Sequence, residues 1–402
     1  MKSTTVGLLA RSLEPSVAAD LREKMVLLSG PRQCGKTTLA RRLLDSLGGS
    51  YFTWDDARHR ATLRSGDLPA SDALWVFDEI HKFRGWRAWL KGVYDTRGDD
   101  HAILVTGSGR LDLLGRGGDS LQGRHFAYRM HPFTVGELLA PSIPKSPDDI
   151  PKMARDPGAA AADALASMLR FGPFPEPLLR ASERHSARWR LSYGSRLVRE
   201  EVRTISEIRD LDRLELLVER LEDVVGSVLS INALREDLEV AFETVRQWIS
   251  VLERLCAVYR IAPYGPTRIK AVKKEQKLYF WDWARVKPEP ARFENLVISH
   301  LLRLVHWLED VHGERAELRF FRNVVGHEVD AIVLRGRAPW LAVEIKSDDR
   351  PVDDGLRYLL ERVRVPHAFQ VSLRGTLDVR APDIHGCAVR RMPAAKFLAN
   401  LP

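Results

Sequence analysis

"MVLLSGPRQCGKTTLARRLLDSLGG", Met25 to Gly49, decides the fold of the first part of this chain. Met25–Ser29 is a short apolar run that reads as a buried strand. Gly30–Thr37 follow the pattern G-x-x-x-x-G-K-[ST], with Thr38 next. Leu39–Leu47 is helical in pattern, and Gly48 and Gly49 close it. Strand, glycine loop, helix is the context a phosphate-binding loop requires. Gly30 and Gly35 let the backbone curl until its N–H groups face phosphate oxygens, and the helix N-terminus adds positive potential. The expected nucleotide contacts are Gly30, Gln33, Cys34, Gly35, Lys36, Thr37 and Thr38. Lys36 reaches the β- and γ-phosphates of ATP, and Thr37 holds Mg²⁺.

Two downstream strands complete the site. "LWVFDEIHK" (Leu74–Lys82) has four apolar residues ending in Asp78 and Glu79, so both acids stand at a strand tip. Asp78 is expected to bind Mg²⁺, directly or through water, and Glu79 to polarise the attacking water. "HAILVTGSGR" (His101–Arg110) ends at Thr106 and Ser108, placed to sense the γ-phosphate. Strands alternate with helical segments, which predicts an α/β fold with a parallel sheet.

"GPRQCGKTT", "FDEIHKFRGW", "LVTGSGRLDLL" and "LQGRHFAYRMHPFTVGEL" occur in this order. Together they resemble a bacterial family of AAA+ ATPases that carry a C-terminal domain of unknown function. The resemblance implies that Arg124, in L-x-G-R, is an arginine finger completing a neighbouring subunit's site. It also implies a ring, and favours a hexamer. The alternative for Arg124 is a local ion pair.

At 402 residues the chain is too long for one ordinary domain. The expected division is an AAA+ domain over 1–150, a helical lid over 151–222, a winged helix over 223–285 and a last domain over 286–402. Apolar residues make up 45% of the chain, and no run approaches the roughly 18 needed for a membrane span. The N-terminus lacks the apolar core and cleavage site of a secretion signal, so the expected location is the cytoplasm. Cys34, Cys256 and Cys387 form no metal pattern and no disulfide framework. The net charge of +8 is compatible with a nucleic-acid partner.

Ser227–Gly265 reads as a helix, a turn at "LEVAFE", a second helix and a strand. Val245, Trp248, Ile249, Leu252 and Leu255 fall at helical spacing. "GPTRIKAVKKEQK" (Gly265–Lys277) follows as a basic wing, with Arg268, Lys270, Lys273, Lys274 and Lys277 against Glu275. This is the order of a winged helix-turn-helix, which can grip DNA phosphates or serve as a protein-binding module. Arg246 is a further candidate DNA contact. The second helix mixes Glu243 and Glu253 with Arg246 and Arg254, which argues against base-specific reading.

"EVDAIVLRGRAPWLAVEIK" (Glu328–Lys346) reads as a hairpin with its turn centred on Arg337. Asp330 then lies opposite Glu344, with Cβ atoms about 5 Å apart. Lys346 shares the face of Glu344. Like charges in opposition call for a cation, and Mg²⁺ with oxygen ligands at about 2.1 Å fits the gap. Glu294, on the preceding amphipathic helix, is a candidate further ligand. Glu294, Asp330, Glu344 and Lys346 together resemble the restriction-endonuclease-like PD-(D/E)xK fold, which implies an α/β C-terminal domain. Many members of that fold class only hold DNA or pack subunits.

The leading expectation is a ring-forming AAA+ ATPase that binds DNA with little sequence preference and couples ATP hydrolysis to remodelling or translocation. One alternative is an ATP-gated, Mg²⁺-dependent DNA nuclease. Another is a regulatory switch ATPase with a protein partner.

Overall fold

Met25–Ser29 is buried at all five positions, as a central strand with covered faces must be. It is β1 of a five-stranded parallel sheet with β2 (Gly49–Thr53), β3 (Leu74–Asp78), β4 (Ala102–Thr106) and β5 (His125–Arg129). The order is β2-β3-β4-β1-β5. β1 pairs with β4 on one side and β5 on the other, so the chain leaving β1 crosses to the far edge to enter β2. Ligands of open α/β sheets bind at such a crossing, beyond the carboxyl ends of the strands. The glycine loop follows β1 there, and Asp78 of β3 pairs in register with Thr106 of β4. Trp75, Phe77, Ile80, Leu90, Ile103 and Val105 form part of the core beside this sheet.

The computed structural model describes residues 9–109, 121–139, 144, 146–197, 199, 202, 208, 210–265 and 276–402. It falls into two compact units. The first is Ala10–Pro132 with Arg254–Cys256; the second includes Phe133–Glu253 and Ala257–Pro402.

The second unit carries helices at Ala159–Phe171, Glu183–Arg196, Leu211–Asp223, Ile231–Asp237 and Phe242–Arg254. Val245, Trp248, Ile249, Leu252 and Leu255 are all buried, as the helical spacing predicts. The strands are β6 (Val258–Pro263), β7 (Lys277–Phe280), β8 (Ala316–Arg322), β9 (Glu328–Arg335), β10 (Ala338–Lys346), β11 (His367–Ser372), β12 (Val379–Ile384) and β13 (Cys387–Pro393). They form one mixed sheet in the order β12-β13-β11-β10-β9-β8-β6-β7.

Two expected boundaries do not separate structure. The hairpin β6–β7 does not stand apart from the last domain, because β6 pairs in parallel with β8 at Ala262–Arg319 and Pro263–Phe320. The break at residue 285 therefore falls within one sheet-bearing unit. Residues 151–222, expected as a lid on the ATPase domain, belong to the same unit. The helix Ala159–Phe171 is held there by the Trp283 indole N–H, which donates to the Met168 carbonyl at 2.9 Å. The open edge of β7 is closed by a side chain on the helix Glu289–His312. Asn295 accepts from the Phe280 N–H at 2.9 Å and donates to its carbonyl at 2.8 Å, as a neighbouring strand would.

The hairpin β9–β10 reaches the expected register by an unexpected route. Arg335 pairs with Ala338 around Gly336 and Arg337, a tighter turn than one centred on Arg337. A bulge between Pro339 and Leu341 then inserts Trp340 and shifts the pairing, so that Val343 faces Ala331. Continued one step, this sets Glu344 against Asp330. Without the bulge Val343 would oppose Asp330 and the acids would part, since one residue of slip turns side chains to the other face.

Candidate functional site

The helix Lys36–Leu47 opens the nucleotide site. Its N-cap is Gly35, with φ of 107° and no side chain bonded to the first turn, so the leading N–H groups remain available to an anion. Gly30 permits the close approach that starts the loop: a Cβ there would lie 2.3 Å from the Met130 carbonyl oxygen. Lys36 is buried and folds back, its ammonium donating to the carbonyls of Gly30 (2.9 Å) and Pro31 (2.6 Å). Neutral carbonyls are weaker partners for a cation than phosphates. Gln33 and Thr38 are exposed, Thr37 is half-buried and Cys34 is fully buried.

Asp78 is held by two hydroxyls. Thr106 Oγ1 donates to its Oδ1 at 2.5 Å, and the Tyr51 hydroxyl donates to its Oδ2. Burial first and then Asp78 hold the Tyr51 phenol well above its usual range, while a hydrogen bond with Thr37 pulls the other way. Tyr51 thus links the loop threonine to the strand-tip acid. Nothing in the local pattern of β2 marked it. Glu79 has φ of 54°, an uncommon backbone for a non-glycine residue, and its N–H donates to the Thr106 carbonyl at 2.9 Å. Its Oε2 is buried without a hydrogen-bond partner, with His81 and Lys82 at 3.5 Å. An unsatisfied buried carboxylate oxygen is ready to accept from a water. Ser108 is buried beyond β4. Arg124 makes a bidentate pair with Asp95 (2.6 and 3.1 Å), the local pairing weighed against the finger role. The glycine cradle, the open helix end and the Lys36–Asp78–Glu79 set fit a nucleoside triphosphate with Mg²⁺.

The second set gathers in the other unit. Glu294, Asp330, Glu344 and Lys346 line one pocket of about 380 Å³, together with Gly226 and Ser347. The Asp330 carboxylate accepts from the Ile345 N–H at 2.8 Å. Lys346 donates to Glu344 at 2.7 Å and pairs with Asp353 at 2.7 Å. Lys277, expected as one of the cations of the basic wing, is instead almost fully buried here. Its ammonium lies 3.3 Å from Glu294 and 3.9 Å from Asp330 and contacts Glu328. Burial alone would depress it, but Glu294, Asp330 and Glu328 hold it above its usual range. Tyr279 adds a hydrogen bond to Glu294 at 2.8 Å.

Among the described residues, no three His, Cys, Asp or Glu side chains are arranged to hold a metal ion. The chain's own ammonium stands among the carboxylates, and as they are placed they do not fit a divalent cation. Glu328, Lys277, Tyr279 and Asp353 were missed as members of this set. Alternation along β9 puts Glu328 on the face of Asp330 and was the one available signal.

Glu344 is buried, with Oε2 unpartnered. Burial raises its pKa from the usual carboxylate range to about 7, against the pull of Lys346. The folded chain keeps this proton to higher pH than the unfolded chain, so the contribution to stability falls as pH rises from about 4.5 through 7. Glu344→Gln cannot ionise but still accepts from Lys346. It is expected to raise stability at pH 8 by on the order of 1–3 kcal/mol, with little change at pH 5. Melting both proteins across that range checks this; parallel curves would refute it.

Arg246 is exposed and already paired with Glu243 at 2.8 Å. Arg268, Lys270, Lys273 and Lys274 lie outside the described residues.

Residues 22–139 match the family model of an AAA domain. Residues 162–285 match a domain of unknown function, DUF8612, and residues 291–384 a second, DUF4143. An uncharacterized protein of Mycobacterium tuberculosis, Rv2008c, is 27% identical over 263 residues, covering 65% of this chain and 55% of that protein. The uncharacterized protein MJ1637 of Methanocaldococcus jannaschii is 26% identical over 299 residues, covering 64% of this chain and 61% of that one. The chain thus spans little more than half the length of these relatives. Among solved structures, a Thermotoga maritima RuvB variant aligns with a TM-score of 0.29 at 18% identity, over 66% of this chain and 92% of that one. A Pyrococcus horikoshii STAND protein with a tetratricopeptide repeat sensor, PH0952, aligns with a TM-score of 0.29 at 13% identity, over 75% and 48%. Likenesses that slight carry no weight for fold or function. The segment that matches the AAA domain model holds the glycine loop, Asp78 and Glu79. Among the described residues no helix is long and apolar enough to cross a membrane.

Proposed function

We propose that this chain binds and hydrolyses Mg²⁺·ATP in its first unit and uses that cycle to act on DNA bound through its second. The observation that carries the hydrolysis is Glu79, a buried carboxylate oxygen without a hydrogen-bond partner beside Asp78. Lys36 exchanges its two carbonyl partners for phosphate oxygens, and the N–H groups around Gly35 hold the β-phosphate. Asp78, kept in place by Tyr51 and Thr106, faces the metal side with Thr37. Mg²⁺ held by Thr37 and Asp78 would neutralise charge on the phosphates. Glu79 orients a water and takes its proton as that water attacks. Ser108 senses the γ-phosphate. In a hexameric ring, Arg124 would leave Asp95 to stabilise charge in a neighbour's site.

The net charge of +8 and the basic segment ending at Lys274 support DNA as the partner. The Arg246–Glu243 pair leaves that helix little free charge for base reading. Neutralising Lys270, Lys273 and Lys274 together is expected to weaken DNA binding alike for all sequences. It should also flatten the salt dependence, by about 0.9 in log–log slope for each phosphate that is no longer neutralised. An unchanged slope moves the DNA path elsewhere.

The nuclease alternative has less support, because Lys277 already neutralises the carboxylates that a metal would need. The switch alternative, with a protein partner, separates cleanly in one assay. ATP turnover measured with duplex, single-stranded and branched DNA should rise with at least one of them. No stimulation by any would favour the protein partner.

A further inference from the structure

We infer that Arg11 is a positioning residue for nucleotide binding, its guanidinium anchoring the outer side of the phosphate loop so that the Gly35 N–H is aimed at the nucleotide. The inference rests on the ATP-site reading above and adds a residue that belongs to neither the glycine loop nor the strand-tip acids.

Arg11 precedes the helix Glu14–Asp20 and is only 6% exposed. Its Nη1 donates to the Cys34 carbonyl at 2.8 Å. Its Nη2 donates to the His131 carbonyl at 2.6 Å and reaches the Pro132 carbonyl at 3.4 Å. One planar cation thus ties the middle of the phosphate loop to the segment that follows β5. Charged donors make the stronger class of hydrogen bond, and a rigid fork fixes direction as well as distance.

The direction matters because of peptide geometry. In a planar trans peptide the C=O and N–H groups point opposite ways. Holding the Cys34 carbonyl outward toward Arg11 turns the N–H of the same peptide, that of Gly35, inward. That N–H heads the open first turn of the helix Lys36–Leu47. Gly35 has the backbone freedom to turn away, so the loop needs an external anchor to hold one orientation before the nucleotide arrives. The fit is close: a Cβ on Gly35 would lie 3.2 Å from Arg11 Nη1. The same wall supports the loop elsewhere, since the Cys34 thiol lies 3.7 Å from the Met130 carbonyl oxygen. Arg11 also places a buried positive charge beside the phosphate site.

An aligned N–H binds the phosphates alike in ground and transition states. Losing it should raise KM with little change in kcat. The test uses Arg11→Met, Arg11→Lys, Arg11→Ala, Lys36→Ala and Leu90→Ala in the full chain. Leu90 is a fully buried core residue of the same unit, so its truncation reports lost stability alone. Arg11→Met is expected to raise KM and the Kd of a fluorescent ATP analogue about tenfold, while kcat changes less than about twofold. Arg11→Lys should recover part of the affinity, and low-millimolar guanidinium should restore part of it to Arg11→Ala. Leu90→Ala should lower the melting temperature as far yet leave KM unchanged. An unchanged KM in Arg11→Met, or an equal rise in Leu90→Ala, overturns the positioning role. If Lys36→Ala also leaves nucleotide binding intact, it is the ATP-site reading that fails.

Discussion

Glu79→Gln is expected to bind ATP as well as the native chain and to hydrolyse it roughly a hundred- to ten-thousand-fold more slowly, the usual contribution of a positioned general base. The amide still accepts a hydrogen bond from water, but it cannot take the proton as the water attacks. The backbone that places it should stay where it is, because the Glu79 N–H is tied to the Thr106 carbonyl at the end of β4. Lys36→Ala should fail earlier, at nucleotide binding, since it deletes the ammonium that would face the phosphates. Titration with a fluorescent ATP analogue and phosphate release, measured on both variants, separate the two losses. Native turnover in Glu79→Gln would remove Glu79 from the chemistry and pass the role of base to another group. Mixing Arg124→Ala with Glu79→Gln subunits extends the test, because a finger acting between subunits would restore part of the activity.

Lys277→Met should be the most damaging single change to the second unit. Removing one partner from a buried ionic cluster costs about 3–5 kcal/mol, because the remaining charges stay buried without compensation. Here Glu294, Glu328 and Asp330 would lose their shared cation. The loss should be largest near pH 8 and smaller near pH 5, because burial holds the Asp330 carboxyl well above its usual range and lets it take up a proton. Adding Glu294→Gln and Glu328→Gln to Lys277→Met should recover part of the stability. Urea unfolding with peptide-resolved hydrogen exchange in β7 and β9 reports both effects. A stability loss below about 1 kcal/mol would mean the ammonium is no more than an exposed-type pair. Appearance of Mn²⁺ binding in Lys277→Met, absent from the native chain, would mark the ammonium as the group that stands in a cation's place.

The candidate phosphate loop and the strand-tip acids were legible in the sequence because each of those parts is local. The apolar run Met25–Ser29, the glycines at 30 and 35, and the acids at the tip of Leu74–Asp78 each follow from near-neighbour periodicity and turn chemistry. The parallel sheet that aligns them follows from the alternation of strands and helices. In the hairpin β9–β10, period-two alternation put Asp330, Glu344 and Lys346 on one face.

What local pattern could not carry was decided by pairing across long stretches of chain. β6 lies beside β8, so Lys277 enters with β7 as a buried counter-charge, where composition alone made it one more wing cation. The Trp340 bulge, set by strand pairing and not by the turn, preserves the opposition of Asp330 and Glu344. Arg11 and Tyr51 reach the nucleotide site only because the fold brings segments from either side of the loop to its edge. Alternation and capping act over a few residues, whereas which strand lies beside which depends on how the whole chain buries its apolar surface.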